Sequence, residues 1–276
     1  MRYAFMSFST PDLTLAEMLA LAAQLGYDGI EPRLDAGHRH GIECDLSLPE
    51  RQAIKAQVAD TGIALCCLAT SCQYANPATL PKMLDDTRRA IDLAGAVGAP
   101  RLRVFGGLIP DGISREQATD QCITSLAALA PHAAEQGVTL CLETHDAWCD
   151  PAHVIAILRA VNHPCIAVNW DIMHPVRAAG CTMDAAFAAL KPWIRHLHVH
   201  DGVLGEPAAL MPIGEGAIDH RRAIELLHTI AYDGYLSGEW IGWEPYQIHL
   251  PRELATLRRY AQETQQAQGQ ETRAGA

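Results

Sequence analysis

The stretch 138–171, VTLCLETHDAWCDPAHVIAILRAVNHPCIAVNWD, reads as strand, helix, strand. Residues 138–143 (VTLCLE) and 166–171 (IAVNWD) are apolar runs of strand length. Between them, residues 151–160 carry a helical pattern, and Asp150-Pro151 sets an N-cap residue before a proline at the first helical position. Each apolar run ends in an acid, Glu143 in one and Asp171 in the other.

The same unit recurs in both directions along the chain. Further strand candidates are 3–7 (YAFMS), 28–32 (DGIEP), 63–69 (IALCCLA), 101–105 (RLRVF), 194–200 (IRHLHVH) and 235–240 (YLSGEW). Helix candidates lie near 13–25, 49–61, 78–97, 114–136, 183–191, 218–231 and 251–266. Thr14 and Glu17 have capping-box spacing, and Gly26, Gly62, Gly98 and Gly137 each follow a helix, where a left-handed cap favours glycine. Eight βα units within 276 residues predict a single-domain α/β fold, the closed (β/α)8 TIM barrel. An open doubly wound sheet is disfavoured because no Gly-rich phosphate fingerprint follows the first strand. The barrel is expected to fill residues 1–263, leaving the polar stretch 264–276 (TQQAQGQETRAGA) as a frayed tail.

Composition narrows the function. The chain is 49% hydrophobic and 19% charged, with a net charge of -11, which excludes wholesale disorder and argues against nucleic acid or an anionic membrane as partner. None of the nine cysteines forms a CxxC pair, and Cys66, Cys67 and Cys141 sit in apolar runs, as reduced, buried thiols do. The opening MRYAFMSFSTPDLTL lacks the long apolar core of a signal peptide. The uncharged run 61–81 is broken by polar residues and two prolines, so it is not read as a membrane span. A soluble, cytoplasmic protein is expected.

In a TIM barrel, catalytic groups stand at the C-terminal ends of the strands. Strand two ends at Glu31, followed by Arg33, His38 and His40; strand four offers Arg103. Strand five ends in Glu143, then His145 and Asp146, and strand six in Asp171, with His174 three residues on. Strand seven carries His196, His198 and His200, then Asp201, and strand eight ends near Glu239. Alternation sends the three histidines to one face and Leu197 and Val199 to the other, so the histidines point into the barrel. Carboxylates and imidazoles crowded at one mouth need a cation, or repulsion would force an acid to keep its proton. Three oxygen donors and one imidazole suit Mn2+, with Mg2+, Co2+ and Zn2+ as alternatives. His196, deepest on its strand, reads as structural, and Glu215 as part of the Gly214-Glu215-Gly216 turn. Trp148 and Trp170 read either as an apolar wall for a sugar ring or as core. The loop 35–46 (DAGHRHGIECDL) reads as a surface loop or as a lid over the mouth.

LETHD at 142–146, NWDIMHP at 169–175, HLHVHD at 196–201, IGEGAIDHRRAIELL at 213–227, YDGYLSGEW at 232–240 and LAEMLALAAQLGYDGIEPR at 15–33 resemble the sugar phosphate isomerase/epimerase family. This belongs to the xylose isomerase-like TIM-barrel superfamily, with ketose 3-epimerases, inosose and dehydroshikimate dehydratases and endonuclease IV. The resemblance implies one divalent metal held by Glu143, Asp171, His198 and Glu239, with Glu143 and Glu239 moving the proton and His174 touching substrate. His200, His145, Arg33 and Arg103 are further candidate substrate contacts. Two departures stand out. His200-Asp201 occupies the place of a Lys-Asp common among relatives, and Cys149 and Leu204 stand where ketose 3-epimerases carry a Glu and an Arg.

The expected function is a metal-dependent isomerase or epimerase acting on a small sugar-like polyhydroxy ketone by proton transfer through a metal-stabilised enediolate. A dehydratase forming the same enolate but expelling a hydroxyl is the nearest rival, and a non-catalytic metal-binding barrel serving as a binding subunit is a further one. An endonuclease is disfavoured by the charge. Homodimer and homotetramer are both left open.

Overall fold

The computed structural model describes residues 1–205 and 207–274. The strands are β1 (Arg2–Met6), β2 (Gly29–Glu31), β3 (Ala64–Leu65), β4 (Leu68–Gln73), β5 (Arg101–Phe105), β6 (Thr139–Glu143), β7 (Ile166–Asp171), β8 (Ile194–Val199), β9 (Asp201–Gly202), β10 (Leu210–Met211) and β11 (Tyr235–Gly238). The helices are α1 (Leu15–Leu25), α2 (Leu48–Ala59), α3 (Leu80–Val97), α4 (Arg115–Glu135), α5 (Pro151–Val161), α6 (Met173–Ala179), α7 (Met183–Leu190), α8 (His220–Thr229) and α9 (Tyr246–Ala274). One sheet of parallel strands runs β3-β2-β1-β11-β8-β7-β6-β5-β4, while β9 and β10 form a small antiparallel pair.

The ends of the sheet order are two halves of one strand. The expected strand 63–69 is interrupted at Cys66-Cys67, so β3 and β4 flank a break. The Cys66 amide donates to Ile30 O at 3.0 Å, the Ala69 amide to Pro32 O at 2.9 Å, and the Leu34 amide to Ala69 O at 2.9 Å. With the Arg33–Ala69 bridge, these bonds close the barrel. The expected TIM barrel is therefore what the chain forms.

Local signals hold up where they can be checked. Thr14 and Glu17 form a reciprocal capping box, and Asp150 Oδ1 accepts the Ala152 amide at 2.9 Å. Gly26 and Gly98 close their helices at φ of 86° and 84°, where a side chain would be strained. Two boundaries are corrected. A short helix, α6, follows β7 where no helix was expected; Pro175 lies in its first turn, where a proline is tolerated. α9 begins five residues before Pro251 and runs to Ala274, through the stretch expected as a frayed tail, with Thr264 buried and donating to Tyr260 O at 2.8 Å. Residues 275–276 of that stretch lie outside the described residues. Among the described residues no helix is long and apolar enough to cross a membrane.

Strand alternation separates two environments. Tyr3, Phe5, Leu140, Leu142, Leu197 and Val199 join the main apolar core, whereas Ala4, Cys66, Cys67 and Tyr235 form a small cluster of their own. All nine cysteines are free thiols, and burial pushes Cys66 and Cys67 well above the ordinary thiol range. Trp148 and Trp170 are fully buried, Trp148 donating to Gly107 O at 2.8 Å and Trp170 packing on Phe187, so neither walls the mouth.

Candidate metal centre

Strand register assembles the site. Glu143 on β6 stands beside Asn169 on β7, Asp171 beside His198 on β8, and His198 beside Ser237 on β11, two residues before Glu239. A register shift occurs where β7 meets β8: Val168 faces Ile194, but Asn169 faces His196. Without that skip of Arg195, Asp171 would stand beside Leu197 instead of His198. The bulge thus turns an acid toward an imidazole.

One ligand atom from each of Glu143, Asp171, His198 and Glu239 lies within 4.8 Å of the other three, and all four residues are buried. His198 Nδ1 is 2.9 Å from Glu143 Oε1, 3.1 Å from Glu239 Oε2 and 3.1 Å from Asn169 Nδ2. Asp171 Oδ1 accepts the amides of Met173 and His174 at 2.8 and 3.2 Å, while Oδ2 accepts His200 Nε2 at 2.7 Å. Arg103, 1% exposed, sets its Nε 3.3 Å from Glu143 Oε2, close as a charge but not aligned as a hydrogen bond. The chain's lysines, Lys55, Lys82 and Lys191, lie on α2, on α3 and just after α7, so none belongs to the cluster.

Burial raises a carboxyl's affinity for its proton, yet Asp171 and Glu239 are held below the ordinary carboxyl range. For Glu239 burial is the largest effect, but His198, its hydrogen bond and Arg103 outweigh it and hold the carboxyl at about 2. Burial likewise raises Asp171, and His200 and His174 more than reverse it, keeping the group below the ordinary range. His198 is disfavoured as a cation by burial, but Glu31, Glu143 and Glu239 push it well above the usual imidazole range. The pocket therefore demands positive charge at Nδ1, as a proton or a metal. Three buried carboxylates, one aimed imidazole and the unbonded Glu143 Oε2 match the donor set of a hard or borderline divalent cation.

Above this set lies a cavity of about 210 Å³ lined by His145, Met173, His174, His200, Leu210, Glu239 and Ile241. His145, His174 and His200 thus gather at the mouth with Glu239, the His145 and His174 rings 4.3 Å apart and those of His174 and His200 5.7 Å apart. Burial lowers His145, but the Asp146 hydrogen bond and Glu143 outweigh it and raise the ring to about 9. The two arginines are placed otherwise. Arg103 is stacked 4.0 Å from the Phe105 ring centre beneath Glu143, and Arg33 is spent on Leu34 O, Ala69 O and Ser71 Oγ; neither lines this cavity. The loop 35–46 is pinned, His38 to Ser7 Oγ at 2.8 Å and buried His40 to Arg33 O at 3.2 Å.

Sequence reading assigned no role to three residues that hold the site. Glu31 bonds His196 and His198, and Asn169 bonds His198. Asp201 accepts the amides of Gly202, Gly214, Gly216 and Ile218 at 2.8 to 3.1 Å, fastening the loop that carries Leu210. Glu31 was visible as a strand-end acid. Its inward direction, matched to the inward histidines, is the signal that could have found it.

Known proteins resemble this chain. The 2-oxo-tetronate isomerase of Cupriavidus necator is 27% identical over 175 residues, 57% of this chain and 65% of that one, so the chain spans just under two thirds of that relative. The L-ribulose-5-phosphate 3-epimerase UlaE of Salmonella typhi is 26% identical over 236 residues, 81% of each chain. A solved structure of L-ribulose 3-epimerase superposes with a TM-score of 0.81 at 17% identity over 97% of both chains, a likeness of fold. The family described as xylose isomerase-like TIM barrel matches residues 19–260, and the chain belongs to it.

Proposed function

We propose that the protein is a divalent-metal-dependent isomerase or epimerase of a small sugar or sugar-like polyhydroxy ketone. The observation that carries this reading is the convergence of Glu143, Asp171, His198 and Glu239 beneath a histidine-lined cavity. The named activities of the isomerase and epimerase relatives support it. Glu143, Asp171, His198 and Glu239 would hold the ion, with Mn2+ the first candidate and Mg2+, Co2+ or Zn2+ the others. When bound, it supplies Lewis acidity that stabilises negative charge developing on the substrate's oxygens.

Glu239 lines the cavity and is ionised, so it is the base placed to take the proton next to a carbonyl. Glu143 lies deeper, across His198 Nδ1, and is the partner for proton return through an enediolate. Arg103, with Nε 3.3 Å from Glu143 Oε2, holds Glu143 in place. His174, His200 and His145 offer ring nitrogens to the substrate's hydroxyls. His200 is oriented by its bond to Asp171, and Met173, Leu210 and Ile241 supply the apolar part of the cavity lining.

The test is to incubate Mn2+-loaded protein with a panel of ketoses, inososes and keto acids in D2O. Deuterium wash-in without loss of water supports the proposal. Loss of water with ultraviolet absorbance of a conjugated enone moves the assignment to a dehydratase, and silence across the panel favours a binding role.

A further inference from the structure

Glu31 and His196, which have no part in the proposed chemistry, form a cluster with His198. Glu31 ends β2, across the barrel from β8 and 165 and 167 residues away in sequence from its partners. Its Oε2 is 2.7 Å from His196 Nε2 and its Oε1 is 3.1 Å from His198 Nε2. All three side chains are fully buried. A carboxylate taken wholly out of water is costly unless each oxygen is bonded, and here one carboxylate brackets two rings.

The consequence falls on the far nitrogen of His198. An ionised carboxylate only accepts, so the Nε2 facing Glu31 carries a hydrogen. In the neutral ring the lone pair is then on Nδ1, the nitrogen aimed between Glu143 and Glu239. Asn169 Nδ2 lies 3.1 Å from the same nitrogen as a donor, while the two carboxylates repel its lone pair unless a cation lies between them. His196 presents no second nitrogen to the carboxylates: its Nδ1 is buried without a hydrogen-bond partner, so the ring serves Glu31 alone.

We infer that Glu31 is a positioning residue for the metal centre: by holding the hydrogen of His198 on Nε2, it presents the Nδ1 lone pair to the cation. This rests on the reading that the four-donor set binds a divalent ion. Replacement by glutamine keeps the shape but reverses the logic. A glutamine amide can donate to Nε2, which moves the ring hydrogen to Nδ1, where Glu143 and Glu239 welcome it and the metal is displaced. Outer partners of this kind are worth about 10–100-fold in metal affinity.

The experiment measures Mn2+ affinity by calorimetry for wild type, Glu31→Gln and Glu31→Asp, with 15N spectra of the histidines in Mg2+-loaded protein. The expected result is a wild-type His198 protonated on Nε2, about 10–100-fold weaker Mn2+ binding in E31Q, and partial recovery in E31D. Unchanged affinity in a folded E31Q, or a wild-type His198 that is protonated on Nδ1 or bound through Nε2, overturns the role of Glu31 while leaving the metal centre standing. Should E31Q fail to fold, the wild-type spectrum alone decides. No Mn2+ binding by wild type overturns both the metal centre and this inference.

Discussion

His200 Nε2 lies 2.7 Å from Asp171 Oδ2, and both side chains are nearly closed to solvent. The bond joins a group read as a metal ligand to a group read as a substrate contact. His200→Ala therefore leaves a buried carboxylate oxygen without its partner, at a cost of about 1–3 kcal/mol. The loss of melting temperature should be larger in EDTA than in Mn2+, because a cation takes over the vacant oxygen. Equal losses in both would show that Asp171 Oδ2 does not face the metal.

Glu239→Gln should leave the protein folded and abolish most turnover. Loss of a positioned base costs about 10²–10⁴-fold in kcat. Turnover unchanged with metal retained would remove Glu239 from the chemistry.

Metal binding should also register as stability. Mn2+ at a hundredfold above its dissociation constant adds about 2.7 kcal/mol to a protein that binds it only when folded. A thermal melt with and without EDTA reads this, and the shift should vanish in Asp171→Asn. A shift of undiminished size in that variant would place the ion elsewhere.

Gly216 packs against the carboxylate of Asp201, where an added Cβ would overlap Oδ1 and the Gly202 amide. Gly216→Ala should cost about 1–3 kcal/mol, the scale of overpacking a close-packed site, and loosen the loop that bears Leu210. Denaturant melts with hydrogen exchange of residues 210–218 would test it; exchange confined to its wild-type rate would refute it.

Acid should weaken the fold through His249, which lies 5.0 Å from the Trp240 ring centre and 5.5 Å from that of Trp243. Burial, helped by Arg252, pushes its pKa down to about 4. The folded value is below the unfolded one, so the stability is whole above the ordinary imidazole range near 6.5. It is lost as pH falls from there toward 4, while the unfolded chain gains a proton that the folded one refuses. His249→Phe keeps a ring between the tryptophans and should flatten the fall in melting temperature over that window. An identical pH profile in the variant would assign the acid sensitivity to other groups, such as buried His40.

The strand ends on β6, β7, β8 and β11 were legible in the sequence because alternation and a terminal acid or histidine are local properties. Glu143, Asp171, His198 and Glu239 were among the strand-end residues found that way, the family resemblance singled them out, and the structure gathers their ligand atoms. The break at Cys66-Cys67 was not legible, since nothing in an apolar, β-branched run marks where its hydrogen bonds lapse. Nor was the register shift opposite Arg195, which decides whether Asp171 meets His198, because register belongs to a pair of strands. The burial of Arg103 beside Glu143 was not legible for a related reason, since a strand-end arginine does not announce in sequence which neighbours enclose it.

The bracket of Glu31, His196 and His198, with Ala4, Cys66, Cys67 and Tyr235 packed as a cluster of their own, fills the barrel interior with buried side chains. On the proposed isomerisation, reactant and product would be nearly identical in size and polarity and would meet the same lining, which includes Ile241, Leu210 and His145. Each departing molecule would then be a rival for the next arrival, so product would act as a competitive inhibitor of its own formation.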